Sequence, residues 1–349
     1  MKRLALLLGC LTLAFILISC ESKSSESASP TTGPSGGGSS GASSSAKKTI
    51  AVIPKGTTHE FWKTIHAGAV KASQETGCEI IWKGPLKEDD REEQIKVVED
   101  FTARGVSGIV LAPLDDQALV MPVKNAVRGG IPTVIIDSDL KTDEYTSFVA
   151  TDNFKGGQLA GEEMVRLLGG KGKIVMLRYA EGSASTTNRE NGFMDVIKKN
   201  PGITVVSDNQ YAGATTESAY QKSENLLAPL KTPDGALTID GIFCPNESSC
   251  FGMLRALQDG KLAGKVKFVG FDSSAKLIEA LQKGELNATV LQNPFNMGYL
   301  GVKTMMDALS GKKVDKRIDT GCKLVTKENM SEADVQTLLN PPLAQYLKE

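Results

Sequence analysis

Residues 49–77, TIAVIPKGTTHEFWKTIHAGAVKASQETG, change period midway. TIAVIP is a continuous apolar, β-branched run, the pattern of a strand covered on both faces. Past the turn PKGTT, apolar residues recur at helical spacing through KTIHAGAVKASQETG, and a glycine closes the segment as glycine does at helix ends. A buried strand feeding an amphipathic helix is the opening half of a βαβ unit. Phe61 and Trp62 stand at the junction, in a chain with two tryptophans and 5% aromatics.

The unit recurs outward from there. EIIW at 79, GIVLAP at 108, PTVIID at 132 and TSFVAT at 146 are short apolar runs, and DREEQIKVVEDFTARG and DQALVMPVKNAVRGG between them have helical periodicity. The order then restarts with KIVMLR at 173, GITVVSD at 202, DGIFCP at 240, VKFVGFD at 266 and NATVLQ at 287, separated by helical stretches such as RENGFMDVIKKN and SSCFGMLRALQDG. Five strands matched by five, offset by roughly 120 to 140 residues, form an internal repeat. The expected fold is α/β, with two doubly wound Rossmann-like lobes. The roughly 300 residues after position 46 also exceed what one core usually holds.

Residues 1–20, MKRLALLLGCLTLAFILISC, have a basic start at Lys2 and Arg3, an apolar run over 4–18 and small residues before Cys20. This is the layout of a secretory signal peptide, with an apolar run too short for a membrane span. The ending LISC resembles the bacterial lipobox, which makes Cys20 the expected lipidation site. Residues 21–46 hold no large apolar residue and are dominated by Ser, Gly and Ala, so they read as a disordered tether. The expectation is an exported domain, in the periplasm or cell envelope, held to a membrane by lipid. A net charge of -1 with scattered Lys and Arg argues against a nucleic-acid surface. Of the remaining cysteines, Cys78, Cys244, Cys250 and Cys322, the middle two are close in sequence, but no metal-ligand spacing with histidine exists. No required disulfide and no metal are expected.

In open α/β sheets, ligands bind beyond the carboxyl ends of the strands. That rule selects the loops 55–62, 113–116, 137–139, 179–189, 211–216, 245–247 and 272–274, together with Gln292, all rich in Asp, Asn, Ser, Thr, Arg and Gln. If the lobes face each other, these loops line one cleft. Side chains that donate and accept, placed around aromatic faces, suit a neutral polyhydroxylated ligand. Two questions stay open at single residues. Phe61 and Trp62 can turn into the core or form a ligand wall, and Asp137, Asp152 and Asp272 can cap helices or touch ligand. Catalysis is not expected: His59 and His66 are the only histidines, there is no GxSxG, Walker loop or strand-to-helix GxGxxG, and the hydroxyl cluster GSASTTNRENG has no nearby base. No cofactor is expected.

The runs TIAVIPKGTTHEFW, ARGVSGIVLAPLD, GIPTVIIDSD, ATDNFKGGQLAGE, GSASTTNRENGF, CPNESSCFGMLRAL, VGFDSS and ATVLQNPFNMGYLG resemble the bacterial type I periplasmic binding proteins of the ribose/galactose group, related to the ligand-binding domain of LacI-type repressors, over residues 48–340. The resemblance implies a two-lobe fold with a three-strand hinge and a sugar receptor for an ABC importer. In ribose-type members an Asn-Pro-Phe-Phe segment supplies a polar contact and two aromatic walls; His59, Phe61 and Trp62 stand at those places. Asp137, Asn246, Asp272 and Gln292 match the family's polar contacts, and Arg189 lies two places beyond the arginine position that falls near Thr187. Ser138 replaces a second family arginine, and the aromatic expected near Ala212 and Gly213 is missing, with Tyr211 adjacent. Losing two planar donor forks changes which hydroxyls are read bidentately, so the sugar class is better supported than ribose itself.

The implied hinge crossings lie near 151–152, 292–293 and 322–324. The expected organisation is a first lobe of residues 47–151 with 293–323 and a second of 152–292 with 324–349. The favoured function is capture of a ribose-like pentose or related monosaccharide by a monomer that delivers it to an ABC permease and its ATPase. The alternative is a sugar-sensing module docking on a chemoreceptor or membrane sensor kinase. A hydrolase borrowing the fold is a weaker third.

Overall fold

The computed structural model describes residues 47–347. The signal-peptide, Cys20 lipidation and tether readings fall outside the described residues. The first half runs β1 (Thr49–Ile53), α1 (Glu60–Thr76), β2 (Glu79–Trp82), α2 (Arg91–Ala103), β3 (Gly108–Leu111), α3 (Val120–Arg128), β4 (Thr133–Ile136) and β5 (Ser147–Ala150). The second runs α4 (Asn153–Leu168), β6 (Gly172–Arg178), α5 (Ala184–Lys198), β7 (Ile203–Tyr211), α6 (Thr216–Leu227), β8 (Gly241–Phe243), α7 (Glu247–Asp259), β9 (Lys267–Phe271), α8 (Ala275–Lys283) and β10 (Ala288–Gln292). Then follow α9 (Pro294–Leu309), β11 (Arg317–Asp319), β12 (Cys322–Thr326), α10 (Ala333–Leu339) and α11 (Leu343–Tyr346).

These strands form two six-stranded sheets, in the orders β11-β5-β4-β3-β1-β2 and β12-β10-β9-β8-β6-β7. All neighbours are parallel except β10 and β12. The continuous apolar character of β1 is explained by its two covers. Ile50 and Val52 pack under α1 and α9 with Ile65, Ala69 and Met305, whereas Ala51 and Ile53 pack under α2 and α3 with Val98, Phe101 and Val123. In the second sheet, Ile174 and Met176 face α4 and α5, while Val175 and Leu177 face α6 and α7. Both lobes are doubly wound, as the repeat predicts.

Two strands escaped the sequence reading. β11 reads RID and is half-exposed, so it lacks the apolar run used to find strands; β12 runs antiparallel at the edge of the second sheet. The chain passes between lobes at 151–152, between β10 and α9, and at 320–321. The third passage lies about two residues before the expected 322–324, because β11 ends at Asp319 and β12 already pairs Cys322 with Gln292. The chain end also departs from expectation. α10 buries Val335 and Leu339 in the second lobe, but α11 packs on α1 of the first, with the Tyr346 ring 5.6 Å from Phe295. Cys78, Cys244, Cys250 and Cys322 are free thiols, and Cys250 is held by hydrogen bonds to the Cys244 carbonyl and Phe271 N–H.

Candidate functional site

Asp137 and Asp272 occupy equivalent places, each just beyond the strand that its lobe counts fourth, β4 and β9. Each donates its N–H to the next strand, to Val149 at 3.2 Å and Val290 at 2.9 Å. Both adopt the left-handed conformation, with φ of 60° and 67°, which turns the chain sharply out of the sheet and favours short polar side chains. Their carboxylates flank Arg189 at 3.8 and 3.7 Å. Arg189 is 2% exposed, lies 4.1 Å over the Phe271 ring, and donates to Asn153 Oδ1 and the Pro245 carbonyl. The capping question separates here: Asp152 caps α4 by accepting the Lys155 N–H, whereas Ser274 caps α8, leaving Asp272 to accept from Glu247 N–H and Gln292 Nε2.

The start of α1 forms a second cluster. Phe61 and Trp62 meet edge to face at 5.0 Å, and both line the cleft, Trp62 also being part of the first lobe's core. Glu88, in the loop after β2, accepts from Trp62 Nε1 at 2.7 Å, the Tyr179 hydroxyl of the second lobe at 2.7 Å, and His59 Nδ1 at 2.5 Å. Burial works against the charge on both partners, but their contact prevails: Glu88 is held down to about 2 and His59 is lifted to about 9. Glu247, at the start of α7, accepts the Phe61 N–H at 3.2 Å, so the second lobe caps a helix of the first whose own N-cap, His59, makes no side-chain cap. Burial pushes the Glu247 carboxyl up to about 7.

The third cluster centres on Lys55. Its ammonium reaches Asp137 at 2.9 Å and the Ser185 hydroxyl of the other lobe at 3.1 Å. Of the expected site residues, His59, Phe61, Trp62, Asp137, Arg189, Asn246, Asp272 and Gln292 come together in the cleft. Ser138 and Thr187 do not line it. Ser138 Oγ instead accepts the Ser185 N–H across the cleft at 3.0 Å, and the rotation of about 100° per helical residue puts Ser185 and Thr186, not Thr187, at the lining. Lys55, Tyr179, Ser185, Thr186 and Glu247 sit inside the strand-end loops without being singled out, and the same rule extended to the loop after β2 reaches Glu88.

The lining encloses about 320 Å³ of empty volume, partly open to solvent, of which only about 20 Å³ is free to the centre of a water molecule. Entry of a sugar therefore needs the lobes to part. Three cations, Lys55, His59 and Arg189, stand against Glu88 and Asp137 and against Asp272 and Glu247, whose carboxyls burial raises, a near balance that suits an uncharged ligand. Gln292 Oε1 is buried with no partner among the described residues and offers an acceptor to a hydroxyl. No group of three or more His, Cys, Asp and Glu among the described residues is arranged to hold a metal ion.

The profile of the periplasmic binding protein domain matches residues 50–313. The ribose import binding protein of Escherichia coli is 30% identical over 291 residues, covering 81% of this chain and 92% of its own. The D-allose-binding periplasmic protein of Escherichia coli is 30% identical over 272 residues, covering 76% and 85%. Among solved structures, a carbohydrate transporter solute-binding protein of Agrobacterium radiobacter in complex with D-arabinose superposes with a TM-score of 0.80 at 34% identity, over 85% of this chain and 100% of that one. An ABC transporter solute-binding protein of Agrobacterium vitis with bound D-fucose gives 0.79 at 38%, over 84% and 100%. These relatives bind substrates rather than transform them, and with the family profile spanning most of the described residues, this chain belongs to the type I periplasmic sugar-binding proteins of ABC importers.

Proposed function

We propose that the protein captures one neutral monosaccharide between its lobes and presents it to an ABC permease, as a monomer anchored through lipid on Cys20. The reading rests on a buried, nearly charge-balanced set of hydrogen-bonding groups beside the Phe61 and Trp62 rings, with the Gln292 acceptor unspent. Apolar ring faces take the C–H surface of a sugar while Asp137, Arg189, Asn246, Asp272 and Gln292 meet its hydroxyls. The ligands named for the relatives, ribose, allose, D-arabinose and D-fucose, support a pentose or 6-carbon monosaccharide. The test is a thermal-shift panel with those four sugars alongside free amino acids and short peptides. Ligand at a hundred times its dissociation constant adds about 2.7 kcal/mol of stability, so a clear rise in midpoint with at least one is expected, and a response confined to amino acids or peptides overturns the sugar reading. For the anchor, Cys20→Ser is expected to abolish incorporation of labelled fatty acid; retained labelling contradicts it.

A further inference from the structure

The cleft contains a second chamber beside the central one, and the two share a wall. The outer chamber has about 360 Å³ free to water and is lined by Lys87, Arg91, Glu181 and Thr215 among others. Lys55, Glu88 and Tyr179 line both chambers, so they stand between them. Each is nearly buried, at 3, 8 and 2% exposure, and each is tied by hydrogen bonds across the lobes or within the first lobe. Tyr179 is the piece contributed by the second lobe: its hydroxyl donates to Glu88 at 2.7 Å, while Glu88 is fixed from the central side by His59 and Trp62.

From this shared wall we infer that the Tyr179–Glu88 pair is a specificity-determining end stop, which limits the ligand to a free monosaccharide by blocking any substituent that would extend into the outer chamber. The inference rests on the sugar reading of the central site. Its logic is steric and electrostatic together. A larger sugar derivative would have to displace the Tyr179 ring, leaving the buried Glu88 carboxylate short of one of its three donors. Reducing the tyrosine to a methyl group would join the central chamber to a space already present on its far side. Specificity of this kind is a rejection built into the wall, not an extra attraction for the correct ligand.

The experiment is calorimetric titration with whichever of D-ribose, D-allose, D-arabinose and D-fucose binds, alongside its mono-O-methyl derivatives substituted at each hydroxyl in turn, so that no ligand orientation is assumed. The unaltered protein is expected to bind every derivative at least 100-fold more weakly than the free sugar. Tyr179→Ala is expected to bind at least one derivative 10-fold or more better than the unaltered protein does, while rejecting the others as before. Tyr179→Phe, which keeps the ring and loses only the hydroxyl, is expected to weaken the free sugar 3- to 10-fold and still reject all derivatives. Two results overturn the end stop alone: the unaltered protein accepting every derivative as well as the free sugar, or Tyr179→Ala, folded by circular dichroism, gaining none. If Tyr179→Ala does not fold, acceptance of a derivative by Tyr179→Phe overturns it. Failure of all four free sugars to bind the unaltered protein overturns the sugar reading and this inference with it.

Discussion

Glu247 and His59 meet at the seam between the lobes, and their protonation links stability to pH. Burial raises Glu247 from 4.5 to about 7, and the contact with Glu88 outweighs burial to raise His59 from 6.5 to about 9. In both windows the folded chain holds a proton that the unfolded chain has released, so stability falls as pH rises from 4.5 to 7 and again from 6.5 to 9. Glu88 has the opposite sign: held at about 2, it contributes stability that is lost as pH drops below 4.5. Glu247→Gln is therefore expected to flatten the decline in thermal midpoint between pH 4.5 and 7, by roughly 5 °C or more across that window, and to leave the decline above pH 7 in place. A parallel offset of the two curves contradicts the assignment. Trp62→Ala is expected to cost about 3–5 kcal/mol of stability, because the ring is both cleft wall and core, whereas half-buried Phe61→Ala is expected to lose sugar affinity with a smaller change in midpoint. At this scale Asp137, Asp272 and Gln292 were legible from the strand-end rule. Glu88 was not singled out, since the loop after β2 was not among those selected and the carboxylate is buried only because His59, Trp62 and Tyr179 arrive from other segments.

Among the elements, two helix pairs repeat one contact. α1 and α9 touch through Gly68 and Gly298, where a Cβ would lie 1.9 Å from the Phe295 and Ile65 carbonyl oxygens. In the second lobe, α4 and α5 touch through Gly157 and Gly192, each with a Cβ position 2.0 Å from a backbone oxygen, that of Arg189 or Phe154. The backbones approach too closely for any side chain, and no rotamer relieves a clash with a carbonyl. Gly157 thereby sets the position of Arg189. Gly157→Ala is expected to destabilise the second lobe by about 1–3 kcal/mol and to weaken sugar binding at least tenfold, read by thermal melting and titration; wild-type values for both would mean that the helices part without moving the guanidinium. The strands and long helices were readable from period alone, but these contacts were not, because a glycine within a helical pattern carries no mark of what faces it.

The whole molecule is two copies of one architecture whose strand ends face each other, and that much followed from the repeat of five apolar runs. The expected passage at 322–324, the omission of β11 and the path of α11 back onto α1 show where the pattern fails: a short polar edge strand and terminal helices of 7 and 4 residues leave little periodic signal. The lobes are closed on each other through Lys55 with Ser185, Glu88 with Tyr179 and Glu247 with the start of α1, and the passages between them are short, so a ligand that bonds to both lobes shifts an open population toward this closed arrangement. Small-angle scattering is expected to show a smaller radius of gyration with sugar than without; an unchanged radius at saturation counts against hinge closure. The central claim, that this cleft takes a neutral monosaccharide, is tested most directly by calorimetric titration of the purified protein and of Asp272→Ala with D-ribose, D-allose, D-arabinose and D-fucose. The account predicts one-to-one binding of at least one sugar and its loss, by 100-fold or more, in the variant; no binding of any of the four, or equal binding by both proteins, would contradict it.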